Sequence, residues 1–151
     1  MIAVIGPGQN ATAAETETAE AIGRLIAEAG HAVVTGGHGG VMAAASKGAT
    51  EAGGIAIGLL PGRDRSAANA YLTASIPTGL GELRNGLVVR SGDAVICVGG
   101  SWGTLSEIAL AVRAGVPIVM VGGWDLPEGG PIVAGSAEEA VAIAVQRAAG
   151  D

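Results

Sequence analysis

Short apolar runs alternate along the chain with longer segments in which apolar residues recur at helical spacing. The predicted strands are residues 2–6, 32–35, 55–60, a shorter 72–76, 94–98 and 117–121. Helices are predicted over residues 14–29, 79–90, 104–114 and 136–149, and a further helix begins at the 36–40 turn and ends at about residue 52. The predicted loops are residues 61–71 and 122–131. The strands are apolar throughout, which is typical of a sheet covered on both faces. The pattern therefore predicts an α/β, Rossmann-like, doubly wound and mostly parallel sheet flanked by helices on both faces, in a single domain over residues 1–151.

Three glycine clusters directly follow predicted strands, at residues 6–8, 36–40 and 99–103. The carboxyl ends of parallel strands meet at one edge of the sheet, and open α/β sheets bind ligands at that edge. We therefore expect the three turns to line one pocket. The candidate binding residues of the first two clusters are Gly6, Gly8, Gly36, Gly37, Gly39 and Gly40.

The third cluster joins a buried strand to a helix. Glycines let the backbone approach a ligand, and the first N–H groups of a helix face that ligand with the positive end of the dipole. The candidate phosphate-binding residues are Gly100, Ser101, Trp102, Gly103 and Thr104. Glu107 lies one turn further, within reach of the same pocket. The alternative is a structural turn in which Thr104 caps the helix and Glu107 completes a capping box.

The composition narrows the class of ligand. Hydrophobic residues make up 49% of the chain, charged residues 15%, and the formal net charge is −6. Proteins that hold nucleic acid normally carry a basic stripe, and aromatic residues for base stacking amount to only 2%. We therefore predict no nucleic-acid partner. A pocket for a small phosphorylated ligand needs only one or two local cations.

The remaining composition bears on location and metals. No apolar run is long enough to span a bilayer, and Met1 leads directly into a strand-like run, so neither a membrane partner nor a secretory signal is predicted. The single cysteine, Cys97, lies in an apolar run and is predicted to be a core residue. His31 and His38 are too far apart for a metal site. The sequence thus favours a cytoplasmic protein without a metal.

The dinucleotide fingerprint is incomplete. Gly6, Gly8 and Ala11 fit G-x-G-x-x-A, but the second predicted strand ends without a carboxylate for the ribose hydroxyls, and Pro7 has no N–H to face a phosphate. No G-K-[ST] follows a glycine run, which excludes a Walker-type NTPase. We therefore predict neither NAD nor any other cofactor.

Arg84 is the candidate cation of the pocket, because its guanidinium offers a permanently charged donor fork to phosphate or carboxylate. The alternative is an exposed salt bridge with Glu82 or Glu107. His38, between two glycine pairs, is a second pocket candidate, with helix capping or solvent exposure as the alternatives. Lys47 is the only lysine and is predicted to be exposed in mid-helix.

The order of these motifs resembles the LOG-like proteins of the SLOG superfamily over nearly the whole chain. Residues 33–42, VVTGGHGGVM, are similar to the family's glycine-rich turn with its Gly-x-Met tail, which adds Met42 to the candidate binding residues. Residues 54–61 resemble the strand ending in proline that follows. Arg84 matches the family's catalytic arginine, and residues 100–107, GSWGTLSE, match its P-G-G-x-G-T-x-x-E signature.

Four positions depart from the phosphoribohydrolases of that family. Gly99 replaces the signature's Pro, Ser101 replaces its second Gly and Trp102 replaces its usual Tyr. Asn85 follows the arginine where the phosphoribohydrolases have Lys. The chain resembles a shorter branch, close to molybdenum-cofactor carrier proteins of the same fold. The family's label "possible lysine decarboxylase" is rejected, because a pyridoxal phosphate enzyme needs a Schiff-base lysine and Lys47 is predicted to face solvent.

The resemblance implies hydrolysis of the N-glycosidic bond of a nucleoside 5′-monophosphate, which releases the base and ribose 5-phosphate. Arg84 would orient the phosphate or assist the leaving base, and Glu107 would stabilise the oxocarbenium-like transition state or activate water. The alternative is a non-catalytic binding or carrier protein for a nucleotide or the molybdenum cofactor. A distant third reading, single-stranded DNA handling, is disfavoured by the acidic charge. The resemblance also implies a homodimer or a larger homo-oligomer.

Overall fold

The strands of residues 1–150, the part of the chain described by a computed structural model, all pair in one sheet. They are β1 Ile2–Ile5, β2 Val33–Thr35, β3 Ala56–Leu60, β4 Ala74–Pro77, β5 Ala94–Val98, β6 Ile118–Val121 and β7 Ile132–Ala134. Their order across the sheet is β4-β3-β2-β1-β5-β6-β7, and every neighbouring pair is parallel. The predicted α/β, Rossmann-like class is confirmed.

Five α-helices in residues 1–150 cover both faces of the sheet, as predicted. They are α1 Ala13–Glu28, α2 Val41–Glu51, α3 Arg84–Ser91, α4 Trp102–Ala114 and α5 Ala137–Ala148. Helices α1, α2 and α5 pack together on one face, and α3 packs beside α4 on the other. None of the helices in this part of the chain combines the length and the apolar character that crossing a bilayer requires.

The central strand β1 shows why the apolar runs are continuous. Its four residues are all buried, and their side chains alternate between two separate cores. Ile2 and Val4 belong to the core under α1, α2 and α5, whereas Ala3 and Ile5 pack with Val88 of α3 in the core on the opposite face. A strand in the middle of such a sheet has no solvent-facing side, so no polar alternation appears in its sequence.

Two elements differ from the sequence-based prediction. Strand β7 was not predicted, because it has only three residues at the edge of the sheet and exposes Ile132 and Val133. The helix predicted over residues 79–90 begins later, as a 3₁₀ turn at Gly81–Leu83 that leads into α3. Gly79 and Gly81 have φ values of 66° and 59°, which a regular α-helix excludes, so α3 starts only after them, at Arg84.

Candidate anion-binding site

The topological switch point of the sheet lies between β1 and β5. The chain leaves β1 for α1 on one face and leaves β5 for α4 on the other, which opens a crevice outside the carboxyl ends of the two strands. The turns after β1, β2 and β5 border this crevice. We call residues 6–8, 36–40 and 99–103 the glycine rim.

The first two turns of the glycine rim contact each other directly. The N–H of Val41 donates to the carbonyl oxygen of Pro7 at 3.0 Å. Gly40 has a φ of 63°, and a side chain there would overlap the carbonyl oxygen of Gly8. The Met42 side chain reaches both turns, with its sulfur beside Gly36 and its methyl group beside Gly8. The structure therefore brings together these predicted residues, although their role in binding stays a prediction.

Arg84 reaches the glycine rim from α3 and is buried there, with only 9% of its surface exposed. Its Nη1 donates to the carbonyl oxygen of Gly36 at 2.8 Å, and a side chain on Gly36 would overlap the guanidinium. Its Nε has no hydrogen-bond partner. The ion pairs within residues 1–150 all involve other residues, so no carboxylate oxygen in this part of the chain lies within 4.0 Å of an Arg84 nitrogen. The alternative of an exposed salt bridge is therefore wrong.

Glu107 is buried on the second turn of α4, also with 9% of its surface exposed. Burial raises the pKa of its carboxyl to about 7, and the charge of Arg84 acts in the opposite direction. Burial likewise lowers the pKa of Arg84, with Glu107 opposing the shift. The two groups are thus close enough to influence each other without forming an ion pair. Near neutral pH, Glu107 is divided between the protonated and ionised forms.

The N-terminus of α4 differs from the capping box that was the alternative to an anion site. The helix begins at Trp102, and Ser101 is its cap, with Oγ accepting from the N–H of Thr104 at 3.2 Å. The hydroxyl of Thr104 forms a 2.8 Å hydrogen bond with the Ser101 hydroxyl. Thr104 is therefore not the cap, and Glu107 lies too far along the helix to complete a box. The N–H groups of Trp102 and Gly103 precede the first intrahelical bond, so they have no acceptor within the helix.

The N-terminus of α1 has a capping box instead. The N–H of Glu15 donates to Thr12 Oγ1 at 3.2 Å, and the N–H of Thr12 donates to Glu15 Oε2 at 2.8 Å. In a dinucleotide-binding protein this helix end would face the pyrophosphate. Here the Glu15 carboxylate occupies it. The arrangement is unfavourable for a dinucleotide phosphate and directs attention to α4.

His38 lies in the turn after β2, in the glycine rim, and Asn69, which the sequence analysis did not single out, contacts this turn. His38 is partly buried, and its Nε2 has no hydrogen-bond partner. Burial, reinforced by the charge of Arg84, lowers the pKa of this imidazole. The Asn69 amide donates to the carbonyl oxygens of Gly37 and His38 at 3.2 and 2.9 Å. Asn69 fixes the turn after β2, but it lies in a polar loop that carries no distinguishing pattern.

Trp124 is a second residue that the sequence analysis missed. It lies in the loop after β6, and its indole contacts that of Trp102, with ring centroids 5.1 Å apart. The glycine- and proline-rich segment around it was predicted only as a loop. The available signal was compositional, because Trp102 and Trp124 are the only tryptophans of the chain.

Lys47 and an apolar groove lie apart from the glycine rim, whereas Cys97 contacts it, with its thiol donating to the carbonyl oxygen of Gly99 at 3.5 Å. Lys47 is partly exposed on α2, where its Nζ lies 3.0 Å from Glu20 Oε1 of α1. Cys97 is a buried core residue, as predicted, and burial raises the pKa of its thiol to about 12. An apolar groove of about 330 Å³ runs between α4 and the loop after β6. In residues 1–150, no group of three or more His, Cys, Asp and Glu side chains has the arrangement of a metal site.

The fold and the glycine rim define a Rossmann-like α/β protein with glycine-rich turns and a buried arginine at the switch point. The chain belongs to the SLOG cluster4 family, whose model matches residues 1–148. This finding confirms the resemblance inferred from the motifs.

Individual relatives agree with this assignment. A protein of Archaeoglobus fulgidus is 44% identical over 117 residues, covering 76% of this chain and 74% of its own. The molybdenum cofactor binding protein of Rippkaea orientalis is 36% identical with a TM-score of 0.91, covering 96% of this chain and 94% of its own. The molybdenum cofactor carrier protein of Chlamydomonas reinhardtii is 37% identical with a TM-score of 0.89, covering 98% of both chains.

Proposed function

We propose that this protein is a non-catalytic carrier that binds a phosphorylated small molecule at the glycine rim. The observation that carries the proposal is the buried Arg84 guanidinium, which has an unpartnered Nε and no carboxylate within 4.0 Å among residues 1–150. A buried charge is costly unless it is paired and hydrogen-bonded. An anionic ligand would supply the missing negative charge.

The N-terminus of α4 supplies the second part of the proposed site. The N–H groups of Trp102 and Gly103 and the positive end of the helix dipole favour an anion. Glu107, on the same helix, has a pKa of about 7, so protonation near neutral pH removes a negative charge that would repel a phosphate. Phosphate binding by Gly100, Ser101 and Thr104 stays a prediction.

The relatives suggest which phosphorylated molecule is carried. Two of the similar proteins of known structure, 36% and 37% identical to this chain, are a molybdenum cofactor binding protein and a molybdenum cofactor carrier protein. The organic part of that cofactor is a pterin with a phosphate group. We therefore propose the molybdenum cofactor as the cargo and a nucleoside monophosphate as the alternative ligand. We further propose a single domain, a cytoplasmic location and a homodimer or larger homo-oligomer, as the resemblance implies.

A second candidate function is the hydrolysis of a nucleoside 5′-monophosphate. The observation that favours it is Glu107, because a buried carboxyl with a pKa of about 7 is suited to proton transfer at neutral pH. Arg84 would then orient the phosphate or assist the leaving base. The two functions share the anion site and differ only in whether Glu107 takes part in a reaction.

Ligand binding without turnover is the expected result for a carrier. The purified protein is titrated calorimetrically with inorganic phosphate and AMP, and its copurifying molybdenum is measured by elemental analysis. The same AMP samples are assayed for adenine and ribose 5-phosphate after prolonged incubation. We expect AMP to bind and to remain intact. Release of adenine in proportion to protein, abolished by Glu107→Gln, would establish the enzyme instead, and a chain that binds neither anion and contains no molybdenum would refute both functions.

Gly36→Ala tests the role of Arg84 without removing it. The added methyl group would overlap the guanidinium and lie 2.8 Å from the Met42 sulfur, and both are the flexible ends of long side chains. We therefore expect the fold to persist while Arg84 is displaced. Losing one charge-assisted contact predicts about tenfold weaker AMP binding.

The matched control for that variant is Gly62→Ala, in the loop after β3 and outside the glycine rim. Gly62 is exposed, and a side chain there meets nothing within 4 Å. We expect wild-type affinity for AMP in this variant. Equal affinities in Gly36→Ala and Gly62→Ala would exclude Arg84 from the anion site.

A further inference from the structure

The two tryptophans of the chain lie side by side at the N-terminus of α4. Aromatic residues make up only 2% of the sequence, yet Trp102 is the first residue of α4 and Trp124 lies in the loop after β6. Their ring planes are inclined at 64°, which is an edge-to-face arrangement. A chain poor in aromatic residues thus has its two largest flat side chains together beside the glycine rim.

The two indoles differ in how they are held. Trp102 is 80% exposed, whereas Trp124 is 38% exposed. Trp124 covers the backbone at Gly100, because a side chain there would point at three of its ring atoms from 3.5 Å. The Trp124 ring is thus supported by the backbone of the glycine rim and packs against the Trp102 ring. Most of the Trp102 ring remains exposed.

We infer that Trp102 stacks on a flat heteroaromatic ring of the ligand, and that Trp124 is a positioning residue that holds the Trp102 indole in place. The inference rests on the proposed function and adds the residues that would recognise the purine or pterin ring of the phosphate ester. Base–aromatic stacking needs an accessible π-face and no specific hydrogen bonds. Trp102 also contributes one of the free N–H groups of α4, so its exposed ring adjoins the proposed phosphate position. This continuity favours a small ligand over a second protein chain.

The affinity difference between ligands with and without a ring tests the inference. The full chain is titrated with ribose 5-phosphate, with AMP and with neopterin monophosphate, a pterin phosphate. We expect the better of the two ring-bearing ligands to bind about tenfold more tightly than ribose 5-phosphate, because of stacking. The tighter of the two identifies the ring as a purine or a pterin.

Variants of Trp102 assign that difference to the indole. Trp102→Leu is expected to remove the tenfold advantage while leaving the affinity for ribose 5-phosphate unchanged, and Trp102→Phe is expected to retain most of it. The matched control is Val133→Ala, which alters another exposed apolar side chain, 70% exposed on β7. This control is expected to bind all three ligands as the wild type does.

Fluorescence tests the positioning role of Trp124, because its variants leave Trp102 as the only tryptophan. In Trp124→Phe, which keeps an aromatic ring, the tighter-binding of AMP and neopterin monophosphate is expected to quench Trp102 emission, and ribose 5-phosphate is expected to leave it unchanged. Trp124→Leu is expected to weaken binding of that ring-bearing ligand about threefold, the effect of losing one aromatic contact. Ribose 5-phosphate binding in Trp124→Leu should remain at the wild-type level.

The possible outcomes separate this inference from the proposed function. Equal affinities for ribose 5-phosphate and both ring-bearing ligands, without quenching, would refute the stacking role and leave anion binding intact. Failure of all three ligands to bind would refute both. Emission that changes with protein concentration and not with ligand would show that a second copy of the chain covers the tryptophan pair, which would also overturn the inference.

Discussion

Gly48→Ala is expected to destabilise the protein by about 3 kcal/mol, the upper end of the usual cost of overpacking. A methyl group at Gly48 of α2 would overlap the carbonyl oxygen of Glu20 in α1. Gly23 of α1 faces the carbonyl oxygen of Ala45 in the same way. The two helices are therefore in backbone contact at both points. Because backbone atoms have no rotamers through which to yield, the helices would have to separate.

Helix propensity alone predicts the opposite result. Alanine in place of glycine normally stabilises a helix by about 1 kcal/mol. Gly86→Ala in α3 provides the control, because a side chain at Gly86 meets nothing within 4 Å. We expect Gly86→Ala to gain stability and Gly48→Ala to lose it, measured by urea unfolding at matched protein concentration. Similar free energies of unfolding in the two variants would contradict the close packing of α1 on α2.

The predictable part of the fold is the part that the core dictates. β1 and β5 carry uninterrupted apolar residues because both of their faces are covered, so their sequences identify them without further context. β7 lies at the edge and exposes two of its three residues, and its pairing with β6 is what makes it a strand. Edge strands of this length depend on tertiary pairing that no local pattern encodes.

The candidate site also has a part that the sequence predicts and a part that depends on tertiary packing. The glycine clusters follow directly from the chain order, because parallel strands bring their carboxyl ends to one edge. Arg84 was recognised, but its burial and its unpartnered Nε result from the packing of α3 against the turn after β2. The contact between Trp102 and Trp124 depends on β5 lying next to β6. Such properties of the site arise from the assembled sheet.

Glu107 is expected to lose a stabilising contribution of about 3 kcal/mol as the pH rises from about 4.5 to about 7, which is the second large effect. Burial raises the pKa of Glu107 from 4.5 to about 7, so the unfolded chain loses this proton at a lower pH than the folded chain. With respect to Glu107, the folded state therefore binds more protons in this window, so the contribution of Glu107 to stability is fully present below pH 4.5 and is lost as the pH rises towards 7. The shift corresponds to about 3 kcal/mol.

Glu107→Gln isolates this contribution, because the amide does not titrate. The free energy of unfolding is measured by urea denaturation at several pH values between 4 and 8, and the wild type is compared with the variant at each pH. We expect the difference between them to shift in favour of Glu107→Gln by about 3 kcal/mol across the window. Glu17→Gln, at an exposed position on α1, controls for the loss of a carboxylate and is expected to follow the wild type.

The comparison between variants also removes the contributions of neighbouring groups. The lowered pKa of His38 acts in the opposite direction. Because this imidazole is harder to protonate in the folded protein than in the unfolded chain, its contribution to the stability of the fold is lost as the pH falls. His38 is present in both proteins, so its effect cancels in the difference. A difference that stays constant across the window would show that Glu107 is not desolvated as the structure indicates. It would also remove the main reason for assigning a proton-transfer role to this residue.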